Sequence, residues 1–303
     1  VAPRRANLKM QLRASRQEGA RLLAKPLGRS LRPAGARQLD RGNTSMYASV
    51  RDGIVLHGWP TILEGLEELR MEAVELEVKR DMSVLYLEPQ DGQTHAILDS
   101  EEAIEAYADH LATHGVRASA FMLGNDFNRE DSDAEVQWVI KVVEAAAALA
   151  IPAVRIDAIM TGEREMPLDA RVAHFADCVK RVLDKTDYHI VEMGIENHGT
   201  LGNNPEFLDN VLNKVNSPRL GITCDTANFY WFGHPLSRVR EIIKHFAPRM
   251  LGAFLGRYPG VEVSLEIHNR KTLLDRLAGN EDDLYVFASA LDREDVVTQA
   301  LLP

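Results

Sequence analysis

The chain has 303 residues, 45% of them hydrophobic and 26% charged, with 20 Gly and 13 Pro. This composition is that of a globular protein and excludes a collagen-like, disordered or disulfide-scaffold chain. The net charge of −10 hides an asymmetry: residues 1–45 hold eleven Lys and Arg against Glu18 and Asp40, so the other 258 residues carry −19.

So acidic a body repels phosphate backbones and makes nucleic acid a poor partner. The basic leader fits a nucleic-acid arm, an Arg-rich transit peptide, or non-native sequence upstream of Met46; the last reading is preferred, and 1–45 is set aside from the fold. The most apolar run, 142–154, contains Glu144 and Pro152 and falls short of the roughly 18 to 20 residues of a membrane span. Cys178 and Cys224 are the only cysteines, which leaves no disulfide framework and makes a reducing, cytoplasmic setting the expectation.

Beyond residue 50, β-branched apolar runs alternate with helical patterns, as in repeated βα units around a parallel sheet. The pattern predicts a helix over 61–70, a strand over 73–78, and a helix over 100–114 opened by Ser100 with Glu101 and Glu102. A strand over 116–123 precedes a helix over 133–149 capped by Ser132. Strands over 152–159, 189–195 and 220–224 then alternate with helices over 168–183, 205–215 and 236–246. Two more strands, 250–255 and 261–267, and a last helix, 282–301, complete seven or eight units. A single (β/α)8 TIM barrel fits this α/β pattern best, with an open doubly wound sheet second, since no Gly-rich nucleotide fingerprint is present.

In such a barrel chemistry sits at the C-terminal ends of the strands. Polar groups recur there: Glu75 and Glu77, Asp126, Arg155 and Asp157, Glu196-Asn197-His198, Asp225, and Glu266 with His268. A carboxylate closing a buried strand is costly unless it is paired or metal-bound. Glu196 and Asp225 lie 29 residues apart, about one βα unit, and are expected to project from neighbouring strands into one mouth. Oxygen ligands with at most one imidazole suit Mn²⁺, Mg²⁺ or a catalytic Zn²⁺. Alternation over 261–268 puts Glu262, Ser264, Glu266 and His268 on one face. Phe229-Tyr230-Trp231-Phe232 fits the wall of a sugar pocket, a dimer contact, or a core plug. His174 reads as a packed helix residue, and Cys224 is not expected to act as a nucleophile.

The stretches FMLGNDFN (121–128), PAVRIDAIMTGE (152–163), GIENHG (194–199) and RLGITCDTANFYWFGHP (219–235) resemble the xylose isomerase-like barrel superfamily, specifically its sugar phosphate isomerase/epimerase group, which is related to endonuclease IV. The resemblance covers about 50–249. It implies a divalent metal held by a Glu after the fifth strand, an Asp after the sixth, a His after the seventh and a Glu after the eighth. Carried over, Glu196 and Asp225 match, and Glu266 matches the last ligand. The family's His-bearing run is absent from MLGAFLGRYPG at 250–260, and position 228 is Asn where many relatives have His. Either the site is degenerate, or His268 or His245 substitutes, or the segment after Arg249 is altered.

The resemblance implies an isomerase or epimerase acting on a carbohydrate by proton transfer through an enediolate. Glu196 and Glu266 are the expected acid/base pair, and Glu196, Asp225, Glu266 and His268 the expected metal ligands. His198, Arg155, Asn197, Asn228 and Trp231 are the expected substrate contacts, in a barrel over 46–303 that forms a homo-oligomer. The rival readings are a metal-free remnant barrel and a metal-dependent dehydratase or lyase. An abasic-site nuclease is disfavoured by the acidic body and by the lack of a His-rich cluster.

Overall fold

A computed structural model describes residues 6–14, 47–250 and 261–279, with side chains for 47–246 and 271–279. Its centre is a parallel six-stranded sheet whose strands neighbour one another in chain order. They are β2 (Val50–Arg51), β3 (Ala73–Glu77), β6 (Arg117–Met122), β7 (Ala153–Asp157), β8 (Glu192–Glu196) and β9 (Leu220–Thr223). The intervening β4 (Ser83–Gln90) and β5 (Gln93–Ile97) form a separate antiparallel hairpin, and β1 (Ala6–Ala14) pairs antiparallel with β10 (Val261–Asn269). The helices are α1 (Asp52–Val55), α2 (Ile62–Leu69), α3 (Glu101–Thr113), α4 (Ser132–Ala148), α5 (Leu168–Lys185), α6 (Gly199–Gly202), α7 (Pro205–Val215), α8 (Thr226–Trp231), α9 (Leu236–Met250) and α10 (Arg270–Ala278).

Each parallel strand buries one face under the helices. Val154 and Ile156 of β7, Met193 and Ile195 of β8, and Leu220 and Ile222 of β9 join one core with Val139 and Val143 of α4, Phe175 and Val179 of α5, and Phe207 and Val211 of α7. The period of two turns the intervening residues to the other face: Glu75, Arg155, Asp157, Gly194 and Glu196. That alternation places charge inside the barrel wall while the apolar half fills the layer between sheet and helices.

Local capping explains most boundaries. Thr61 accepts from the Glu64 amide at 3.1 Å, and Ser100 from the Ala103 amide at 3.2 Å, each opening the helix that the sequence predicts. The cap of α4 is Asp131, whose Oδ1 accepts from the Ala134 amide at 2.9 Å, and not Ser132, which is the first helical residue. The hairpin was not among the predicted elements, yet its turn is the Asp91-Gly92 pair, with φ of 50° and 77°. Both values are left-handed, which is why Asp-Gly between apolar strands signals a tight hairpin.

The strand expected over 261–267 exists, but it pairs with β1 rather than joining the parallel sheet. The register sets Lys9 opposite Glu266, Arg13 opposite Glu262 and Asn7 opposite His268. Residues 6–14, set aside with the basic leader, form the strand that partners β10 in this two-stranded ribbon. The strand expected over 250–255 begins on the last residue of α9 and otherwise lies outside the described residues, as does the helix expected over 282–301.

Candidate active site at the strand ends

The C-terminal ends of β7 and β8 bring four expected site residues together. Pairing in register sets Arg155 beside Gly194 and Asp157 beside Glu196. The Arg155 guanidinium lies between two carboxylates: Nη1 is 2.7 Å from Glu196 Oε2 and Nε is 3.3 Å from Glu75 Oε1. All three side chains are largely buried, at 13%, 16% and 21% exposure for Arg155, Glu196 and Glu75. Burial pushes the Glu75 and Glu196 carboxyls above the usual carboxylate range, and Arg155 is the strongest influence pulling each back down. Glu75 was read only as one of several polar strand ends; its partnership with Arg155 spans three strands and has no signature in local sequence.

His198 follows Glu196 by two residues, and its Nδ1 lies 3.1 Å from Asp157 Oδ2. Asp157, Glu196 and His198 each offer a ligand atom, and these atoms lie within 4.8 Å of one another. Two carboxylates and an imidazole are a donor set that fits Mn²⁺, Mg²⁺ or Zn²⁺, so the residues present suit the metal that the family resemblance implies. Asp157 enters this cluster although it was not among the expected ligands.

Asp225 stands in the loop after β9. Its Oδ1 accepts from the Ala227 amide at 2.7 Å and from the Asn228 amide at 3.2 Å, capping α8. Helix α8 was missed in the sequence because six residues give too short a pattern; the Asp-Thr-Ala-Asn cap was the available signal. Asn197 is fully buried, and both ends of its amide are engaged by the Asp225 backbone: Nδ2 donates to the carbonyl at 2.7 Å and Oδ1 accepts from the amide at 2.6 Å. Asn228 is half-buried in the first turn of α8, and Trp231 closes that helix with 75% of its surface exposed. Glu266 and His268 lie on β10, in the ribbon with β1, and their side chains are outside the described residues.

The glycines flanking this site have packing roles. A Cβ on Gly202 would stand 2.9 Å from the Glu196 carbonyl oxygen, so only glycine lets the single turn of α6 approach the end of β8. Gly199 has φ of 66°, and a Cβ there would meet Ile159 at 2.7 Å.

The loop after β6 acts as a staple. Asp126 accepts from the amide and hydroxyl of Thr161, Asn128 Nδ2 donates to the Thr161 carbonyl at 2.6 Å, and His174 Nε2 bonds the Phe127 carbonyl at 2.7 Å. His174 is thus the packed helix residue that its spacing predicts. His245, offered by sequence as a substitute ligand, instead pairs with Asp209 at 2.7 Å. Burial raises the Cys224 thiol to about 12, which fits the expectation that it is no nucleophile.

Comparison with known proteins places this geometry. At the C-terminus, residues 239–303 match the LysR substrate binding domain. There the chain is 49% identical over 57 residues to a RuBisCO operon transcriptional regulator of Acidithiobacillus ferrooxidans, and 57% identical over 42 residues to the HTH-type transcriptional activator CmpR of Synechocystis. These stretches amount to 19% and 14% of this chain, and the chain spans only 18% and 14% of the length of those curated relatives.

The larger part resembles solved barrels in fold alone. The probable 3-DHS dehydratase AsbF of Bacillus anthracis is 16% identical, with a TM-score of 0.51 over 67% of this chain and 70% of that one. An IolI protein with a bound zinc atom is 18% identical, with a TM-score of 0.51 over 66% and 68%. A D-tagatose 3-epimerase-like protein is 16% identical, with a TM-score of 0.50 over 66% and 72%. The family model described as xylose isomerase-like TIM barrel matches residues 71–255, which include β3 through β9 and the whole Arg155–Glu196–His198 cluster; by that match the chain belongs to the xylose isomerase-like TIM barrel family.

Proposed function

We propose that the barrel is a metal-dependent isomerase or epimerase that moves a proton next to a carbonyl in a sugar or a related hydroxy-carbonyl compound. The observation that carries this reading is Glu196: a strand-end carboxyl with a raised pKa, one oxygen held by Arg155, beside an imidazole held by Asp157. A raised carboxyl pKa brings the group closer to neutrality, where it can both take and return a proton.

Asp157, Glu196 and His198 are the residues that would hold the divalent ion, with Asp225 in the loop after the next strand. A bound divalent ion supplies Lewis-acid polarisation of the substrate carbonyl and its neighbouring hydroxyl. Arg155 fixes Glu196 through Oε2, which leaves Oε1 to receive the α-proton. His198, tied through Nδ1, has Nε2 left for the ion, and Asn228 and Trp231 on α8 are the substrate contacts that belong to this proposal. A single carboxylate can carry a proton between adjacent carbons on one face, as aldose–ketose isomerisation needs. Epimerisation requires a second acid on the opposite face; Glu266, to which the family resemblance would give that role, lies on β10 outside the parallel sheet.

The test is solvent deuterium exchange at the α-carbon, read by NMR over a panel of aldoses and ketoses with Mn²⁺, Mg²⁺ or Zn²⁺ added. Elemental analysis of the dialysed protein accompanies it. About one metal per chain, lost in Glu196→Ala, and exchange abolished in Glu196→Gln are expected. Exchange that persists in Glu196→Gln would overturn the assignment of the base. A panel without exchange, in a protein that holds metal, would favour a dehydratase or lyase, which begins with the same proton abstraction. A protein without metal would favour the remnant-barrel reading. A cytoplasmic setting, a small carbohydrate as partner and a homo-oligomer belong to the same proposal; among the described residues no helix is long and apolar enough to cross a membrane.

We further infer that the chain leaves the barrel pattern between about 250 and 260. The LysR-like match reaches to residue 303, and β10 pairs with β1 outside the parallel sheet. This accounts for the histidine-free run at 250–260.

A further inference from the structure

The loops after β6 and β8 contain the same device. Asn197 uses both ends of its amide on the backbone of Asp225, the residue that follows the neighbouring strand by two positions. Asn125 does the same to Asp157: Oδ1 accepts from the Asp157 amide at 2.7 Å, and Nδ2 donates to the Asp157 carbonyl at 3.1 Å. Asn125 is 2% exposed and Asn197 is fully buried, so neither amide has water as an alternative partner. A side-chain amide that closes a two-bond ring with a peptide unit fixes that residue's position and rotation, because two bonds of opposite polarity cannot both be kept while the backbone turns.

The two targets differ in what they carry. Asp225 caps α8, so the Asn197 clamp sets the start of a helix. Asp157 sends Oδ1 to the Ile159 amide at 3.0 Å and Oδ2 to His198 Nδ1 at 3.1 Å. Each oxygen of that carboxylate thus has one protein partner, which fixes its orientation on the backbone that Asn125 holds. His198 itself is 53% exposed, and Asp157 is its hydrogen-bonding anchor among the described residues.

The geometry assigns to Asn125 the role of a positioning residue: acting through Asp157, it selects the His198 tautomer that protonates Nδ1 and leaves Nε2 free to face the barrel mouth. This deepens the proposed function, since it concerns the imidazole of the same site and rests on that reading for its use in catalysis. The structural relationship itself requires no metal. The hydrogen bonds of the Asn125 amide go to the Asp157 backbone, so its part is the indirect one that outer-shell groups play in fixing ligand tautomers.

The experiment uses the full chain, metal-free and labelled with ¹⁵N-histidine, with spectra taken over a pH series. Two-bond ¹H–¹⁵N correlation spectra read the ring nitrogens. Wild type is expected to show His198 as one tautomer, with protonated Nδ1 and unprotonated Nε2. Asn125→Ala is expected to show the averaged pattern of an exposed, unanchored histidine. Thr186→Val is the control: it removes a buried hydroxyl bonded to the Val182 carbonyl at 2.9 Å at the end of α5, and should cost stability without altering the His198 pattern. Asn125→Ser, too short to span both backbone groups, serves the same comparison should the alanine variant not fold. A wild-type His198 pattern in Asn125→Ala, or an averaged pattern already in wild type, would overturn the assignment.

Cobalt(II) titration of the same proteins separates this inference from the proposed function. Binding to wild type that weakens about 10- to 100-fold in Asn125→Ala supports both. Equal cobalt affinity in the two proteins counts against the clamp, whatever the ring pattern. If wild type binds no cobalt, the metal reading fails, and the ring spectra alone decide the role of Asn125.

Discussion

Arg155 Nη1 stands 2.7 Å from Glu196 Oε2, with a second carboxylate, Glu75, on the other side of the same guanidinium. One buried cation therefore serves two buried anions drawn from β3 and β8. Removing a single partner leaves charge without compensation, which costs more than such a bridge contributes when whole.

Arg155→Met is expected to lower unfolding stability by about 3–5 kcal/mol, since both carboxylates lose their counter-charge. Adding Glu75→Gln should recover part of that loss. Urea denaturation with an unchanged m-value is the measurement. A loss under about 1 kcal/mol would show that water reaches the bridge freely.

Gly202→Ala should destabilise by about 1–3 kcal/mol, because the added Cβ meets the backbone of Glu196 and Asn197, which cannot swing aside as a side chain could. The same displacement should weaken metal binding, because Glu196 and His198 flank the point of contact. Unaltered melting and metal titrations would contradict this.

The hairpin of β4 and β5 is held to α3 by a titratable acceptor. His110 Nε2 accepts from the Leu87 amide at 3.0 Å, in a cluster with Tyr86, Tyr107 and His114. Burial first, and His114 second, lower the His110 pKa, with Glu88 opposing them. The folded state thus resists a proton that the unfolded chain accepts. This contribution to stability is complete above about pH 6.5 and is lost as the pH falls through the lowered folded value. Denaturation midpoints measured between pH 7.5 and 5 should fall, and His110→Gln, which can still accept from Leu87, should flatten the decline.

Neither thiol should behave as a reactive cysteine. Burial pushes Cys178 up to about 11 and Cys224 up to about 12. At pH 8 only about one thiol in a thousand or fewer is then ionised. Ellman's reagent should report no fast thiol in the native protein and two after unfolding. A rapidly reacting native thiol would refute this.

Residues near the strand ends show how far a sequence can be read. The alternation of Val154, Arg155, Ile156 and Asp157 already separates a helix-facing side from a barrel-facing one, because the strand period is local. The spacing of Glu196 and Asp225, about one βα unit, puts them at the ends of adjacent strands. Thr61 and Ser100 mark their helices correctly, since a cap involves only the next three residues. At Asp131-Ser132 two good caps compete, and the choice between them depends on how the chain enters from the β6 loop.

What the sequence by itself determined is the alternation of the main strands and helices and the facing of Arg155 and Asp157 away from Val154 and Ile156, which follow from periodicity and short-range capping; the barrel superfamily was legible only through the resemblance of its motifs. Only the tertiary structure decided which of those charges meet. Arg155 is matched to Glu75 and Glu196, His198 to Asp157, and Asn125 and Asn197 to backbone groups 32 and 28 residues away. It also set β10 against β1 instead of in the barrel wall. Pairings of this kind depend on strand register and on which buried polar atoms lack another partner. Neither is encoded in a local pattern; both appear once the chain has closed on itself and water has been removed.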